Sequence, residues 1–159
     1  MIVLGIDPGS RITGYGVVEK KRQGIISVTD GEITAKGNEP LSVRLKKIYD
    51  NLIEIMGIFT PDAVALEDIF YGKNVKSLIK LGHVRGVIIL AASHNSIPTF
   101  EYTPLEVKKA VVGYGRAEKS QVQKMVTAIL NLNEIPPVDT SDALAVAICH
   151  INFLKTLSI

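Results

Sequence analysis

Four acidic residues occupy places where carboxylates can act together: Asp7, Glu67, Asp139 and Asp142. Asp7 ends an apolar, branched run from Ile2 and is followed by Pro8-Gly9, which reads as a buried strand entering a turn. Glu67 ends the apolar run Ala63 to Leu66 in the same way. Ligands of open α/β sheets bind in the crevice at the carboxyl ends of strands, so neighbouring strands would set these two acids side by side. Paired acids raise the proton affinity of at least one member unless a cation neutralises them. Asp139 and Asp142, spaced i, i+3 at the start of the last helical run, share one helix face. A helix N-terminus also favours acids by itself, so a capping role for Asp139 stands beside a ligand role. Four oxygen donors without histidine suit Mg²⁺ or Mn²⁺ rather than Zn²⁺. Two such ions, roughly 3.5 to 4 Å apart, activate water and stabilise the leaving oxygen in phosphodiester hydrolysis.

The charge distribution is consistent with a polyanionic substrate. Residues 71–124 hold nine Lys and Arg against three Glu, a surplus of six that leaves the rest of the chain at −4 in a net charge of +2. A basic half beside an acidic cluster fits a polyanion docked over metal, and solvated helix faces are the alternative. The single cysteine, Cys149, lies in the apolar run Leu144 to Ile148 and reads as a buried, inert thiol suited to a reducing cytoplasm. His83, His94 and His150 sit in or near helical segments, where core or surface roles are expected. No apolar segment approaches the roughly 18 residues of a membrane span, and nothing argues for export.

The elements that must position the acids follow from periodicity. Ile2 to Asp7, Gly14 to Glu19 and Gly24 to Ala35 read as a three-strand meander. From Pro40 to Phe59 the spacing of Leu41, Leu45, Ile48, Leu52, Ile55 and Met56 predicts an amphipathic helix, stopped by Thr60-Pro61. A strand from Ala63 to Glu67, a polar loop from Tyr71 to Asn74 that opens a second long helix to about His94, and a strand from Pro98 to Tyr102 follow. Pro104 opens a helix that Gly113-Tyr114-Gly115 breaks, and two helices over about 118–130 and 139–154 complete the chain. The expectation is one α/β domain over residues 1–159, a mixed sheet of about five strands flanked by helices, with right-handed crossovers making the later strands parallel. Gly82 and Gly86 on the second helix fit either packing on the sheet or a dimer contact. Any DNA-binding tail beyond the last helix is expected to be short or absent.

Four stretches together, GIDPGSRITGYG (5–16), LEDIFYGKN (66–74), VVGYGRAEKSQV (111–122) and DTSDALAVAICH (139–150), closely resemble the bacterial RuvC family of Holliday-junction resolvases. The resemblance runs from Met1 to about His150. It implies a ribonuclease H-like fold, a homodimer, two Mg²⁺ or Mn²⁺ ions per site, symmetric nicking of opposed strands of a four-way DNA junction, and a RuvA–RuvB branch-migration complex as partner. The family's acids map onto Asp7, Glu67, Asp139 and Asp142. Some members carry histidine at the position of Asp139, where this chain keeps the acid. The family's base-stacking aromatic corresponds to Phe70 and its functional lysines to Lys108 and Lys119. Lys73 and Asn74, in the stretch after Phe70, and Tyr114 and Arg116, beside Lys119, complete the expected DNA-binding set. A core role is the alternative for Phe70. Competing readings are a YqgF-like nuclease acting on RNA, an ATPase or sugar kinase, and a non-cutting junction-binding module.

Overall fold

The computed structural model describes residues 1–68 and 74–157. Its strands are β1 (Ile2–Asp7), β2 (Ile12–Lys21), β3 (Gly24–Thr34), β4 (Ala63–Glu67) and β5 (Thr99–Tyr102). Its helices are α1 (Leu41–Phe59), α2 (Val75–His94), α3 (Pro104–Val112), α4 (Lys119–Ile129) and α5 (Val138–Leu157). The strands form one mixed sheet in the order β3-β2-β1-β4-β5. β1 pairs antiparallel with β2 and parallel with β4, and β4 pairs parallel with β5.

Strand alternation sorts the side chains into two layers. Leu4 and Ile6 of β1 and Val64 and Leu66 of β4 pack with Ile48, Leu52 and Met56 of α1 and Val84 and Ile88 of α2. Val3 and Ala65 face the other way, into a core with α3, α4 and α5. Asp7 and Glu67 have the parity of Val3 and Ala65, so their side chains belong to the α5 side.

Helix boundaries follow local chemistry. Thr103 and Glu106 form a reciprocal capping box with Pro104 in the first turn of α3, and Gly113 ends it at φ +94°, a left-handed conformation that glycine adopts without steric cost. Several element ends shift by one or two residues, and two of these shifts bear on the site. β2 begins at Ile12, not Gly14, because Ile12 and Thr13 pair with Thr34 and Ile33, so Gly14 lies inside a strand. α5 begins at Val138, so Asp139 stands in its first turn rather than at the cap.

Ala143 through His150 of α5 are buried without interruption, as expected of a helix enclosed on all sides. It lies so close to β1 and β2 that a methyl group on Gly5 would strike the Ala143 carbonyl oxygen, on Gly14 the Asp139 carbonyl oxygen, and on Gly16 the Leu144 side chain. Glycine inside a strand commonly marks such an approach. Gly5→Ala or Gly14→Ala should therefore destabilise the protein by about 3 kcal/mol, because backbone must move. Gly57→Ala, in α1 with open space around it, should stabilise by up to about 1 kcal/mol. Denaturant melts of the three variants check both signs, and equal effects would refute the close-approach account.

Candidate active site

β1 and β4 run side by side in register, with Ile6 opposite Leu66, so Asp7 and Glu67 sit at adjacent strand ends. The tight passage of α5 over Gly5 and Gly14 carries Asp139 and Asp142 across the same edge. The Asp7 carboxyl is pushed up to about 7, first by burial and then by the negative charges of Asp142, Glu67 and Asp139. Glu67 is raised by burial and by Asp142, while Lys119 and Lys108 pull it back. Lys119 donates from Nζ to Asp142 Oδ2 at 3.0 Å, and that bond raises its own proton affinity. A cleft lined by Glu67, Lys108, Lys119 and Asp142 opens beside the acids.

The two turns that carry the acids are held from the opposite layer. Thr13 Oγ1 donates to the Gly9 carbonyl at 2.7 Å, and Arg44 Nη1 of α1 donates to the Ser10 carbonyl at 3.1 Å. Arg85 of α2 donates to the Glu67 carbonyl and, at 2.7 Å, to Glu101 Oε1. Neither arginine stands out in the sequence as a residue of the site. The available signal was a cation on an apolar stripe: Arg44 shares a face with Ile48, Leu52 and Met56, and Arg85 lies beside Val84 and Ile88. Arg85 is only 6% exposed, so it leaves the basic surplus offered to a polyanion.

The remaining expected site residues fall into separate places. Lys108 and Lys119 reach the acids. Tyr114 and Arg116 are exposed on the connection between α3 and α4. Asn74 caps α2, its Oδ1 accepting from Ser77 N at 3.2 Å. Phe70 and Lys73 lie outside the described residues. Gly82 and Gly86 face open space, which removes packing on the sheet as their reason. Cys149 is buried and its thiol is pushed up to about 12, in keeping with an inert role. His150 is buried, its Nδ1 2.6 Å from the Tyr102 hydroxyl, away from the acids.

A hard divalent cation fits the chemistry of this donor set: oxygens only, mutually repelling, and partly neutralised by one ammonium. Among the described residues no three such side chains are yet gathered tightly enough to hold an ion. The adjacent ends of β1 and β4 and the passage of α5 over Gly5 and Gly14 nonetheless bring the four acids to one edge of the sheet, close enough for the other three to raise Asp7. Lys119 occupying Asp142 gives a physical reason for the open arrangement, since a side chain engaged elsewhere must turn to ligate.

The sheet order, with acids at the ends of its two central parallel strands and on the helix crossing them, defines a nuclease of the ribonuclease H-like class. The sequence profile described as "Crossover junction endodeoxyribonuclease RuvC" matches residues 3–150. The chain belongs to the RuvC family and is a divalent-metal-dependent endonuclease. It is 55% identical to the RuvC of Syntrophotalea carbinolica over 150 residues, covering 94% of this chain and 93% of that one. It is 49% identical to that of Desulforamulus reducens over 157 residues, covering 98% and 96%. The structure of Thermus thermophilus RuvC in complex with a Holliday junction substrate superposes with a TM-score of 0.94 at 34% identity, covering 99% of this chain and 97% of that one.

The raised Asp7 fixes a pH dependence for the metal-free protein. Its folded value of about 7 exceeds the unfolded 3.8, so between these values the folded state binds more protons. Stability from this group is therefore highest below about pH 4 and falls as pH rises to 7, by a few kcal/mol. Asp7→Asn should remove that slope and raise the melting temperature of metal-free protein at pH 8. Thermal melts from pH 5 to 8 in chelator test this, and an unchanged slope in the variant would refute it.

Proposed function

We propose that this chain resolves four-way DNA junctions by nicking two opposed strands symmetrically, as a single nuclease domain over residues 1–159 that acts as a homodimer. The observation that carries this reading is the convergence of Asp7 with Glu67, Asp139 and Asp142 beside Lys108 and Lys119, in a chain of the RuvC family. Asp7, Glu67, Asp139 and Asp142 would hold Mg²⁺, or Mn²⁺, as two ions. The ions supply a polarised water and charge stabilisation for the leaving oxygen.

The chain's own residues do the rest. Asp7 and Glu67, fixed at strand ends, set the orientation of attack. Lys119 stands in for a cation on Asp142 and is free to turn to phosphate once metal takes the acid, with Lys108 beside it. Arg116 and Lys73 add positive charge, Asn74 adds a polar contact, and exposed Tyr114, together with Phe70, supplies a face for unstacked bases. The work takes place in the cytoplasm, with the RuvA–RuvB branch-migration complex as partner. No helix among the described residues is long and apolar enough to cross a membrane.

A two-fold junction calls for an isologous two-fold dimer with one site per subunit. The outer face of α2 supports that arrangement. Val75, Ile79 and Leu90 are exposed there, in line with Gly82 and Gly86, whose missing side chains permit close helix approach.

A four-way junction should be cut in Mg²⁺ at least about a hundredfold faster than a linear duplex of the same sequence. Chelation or Asp7→Asn should abolish cutting while junction binding persists. Equal cutting of the two substrates would refute junction resolution, and loss of binding on chelation would contradict the assigned role of the metal. Ile79→Glu, at a position 55% exposed, should fold normally yet sediment as a monomer and lose paired nicking. A dimer that persists in this variant would exclude the α2 face.

A further inference from the structure

The end of β4 poses a positioning problem. Register pairing with β1 stops at Leu66, so Glu67 is one residue beyond that ladder and pairs only with Tyr102 of β5. Asp68 N donates to the Tyr102 carbonyl at 2.7 Å, which ties down the β5 side of this strand end. The Glu67 carbonyl accepts from Arg85 Nη1, while Nη2 of the same guanidinium reaches Glu101 Oε1 at 2.7 Å and lies 3.9 Å from Asp68 Oδ1.

Parity explains why this grip leaves the carboxylate free. The Glu67 side chain belongs to the α5 layer with the other acids, whereas Arg85 comes from α2 in the opposite layer. Glu101, opposite Leu66, has the parity of that layer, since Phe100 and Tyr102 on either side contact His150 of α5. A nearly buried guanidinium needs a countercharge and several acceptors, and here it finds Glu101, Asp68 and one backbone oxygen. Lysine has no planar fork with which to hold a carbonyl and a carboxylate at once.

We propose that Arg85 is a positioning residue. From beneath the sheet it fixes the backbone of Glu67 relative to β5 and thereby sets where the Glu67 carboxylate stands against Asp7. Partners of this kind orient ligands without touching the metal, and their loss typically costs about 10- to 100-fold in metal affinity or activity. The inference rests on Glu67 being a metal ligand, and it adds the group that holds Glu67 in place.

The test compares Arg85→Lys and Glu101→Gln with the parent protein. The readouts are Mn²⁺ affinity by calorimetry, junction affinity without divalent metal, single-turnover cutting across a Mg²⁺ titration, and melting temperature. Arg85→Lys should bind Mn²⁺ about tenfold more weakly and cut at least about tenfold more slowly, with junction affinity within about twofold of the parent. Raising Mg²⁺ should recover part of the rate. Glu101→Gln, altered at a partly exposed side chain, should fold and show a smaller loss in the same direction. A folded Arg85→Lys with parental Mn²⁺ affinity overturns the proposal, even if its melting temperature falls. Should Arg85→Lys not fold, parental Mn²⁺ affinity and Mg²⁺ dependence in Glu101→Gln overturn it instead. If the parent cuts linear duplex as readily as a junction, junction resolution fails, while Mn²⁺ affinities still decide the role of Arg85.

Discussion

The contact between α5 and the floor of β1 and β2 is the constraint on which the site depends. Gly5, Gly14 and Gly16 leave no side chain between helix and sheet, so the backbone of α5 comes down onto the strands themselves. A helix held one side chain further out would carry Asp139 and Asp142 away from Asp7. The buried run from Ala143 to His150 supplies the apolar attraction for this contact, and the glycines set how near it comes. Small residues here fix the distance between acids that lie more than 130 positions apart in the chain.

That closeness has an electrostatic cost. Asp7 is pushed up to about 7 because burial and three other acids act on it together. Lys119 relieves part of the repulsion through Asp142, and Lys108 lowers the strain on Glu67 from the side. A site that repels itself when empty binds a divalent cation more strongly than scattered carboxylates would, because the cation removes repulsion as well as forming new contacts. The fold must resist this repulsion while the site is empty. Arg44 and Arg85 do so from the opposite layer, Arg44 through the Ser10 carbonyl in the turn after Asp7 and Arg85 through the backbone carbonyl of Glu67, which leaves the carboxylates of both acids free to ligate.

Much of this could be read from residue order. Asp7 and Glu67 at the ends of branched apolar runs and Pro104 at the start of a helix are local signals that appear where their chemistry predicts, whereas Asp139, i, i+3 from Asp142, lies one residue inside the helix it could have capped. Gly14 was less transparent: glycine beside a polar turn looks like the end of a strand, and only the pairing of Ile12 with Thr34 shows it to be interior. Gly82 and Gly86 were ambiguous for the same reason, since a missing side chain permits close approach without saying to what. Arg85 counts toward the basic surplus of residues 71–124, because a charge count along the chain cannot distinguish a solvated cation from one paired beneath a sheet.

The sequence by itself determined the donor chemistry, the alternation that directs each strand side chain to one layer, and the family, because these rest on residue type and short-range spacing. Only the tertiary structure decided which acids meet, that α5 touches strand backbone, and that two arginines brace the acid-bearing turns from below. Those facts depend on which distant segments share a layer, and no local pattern carries that distance.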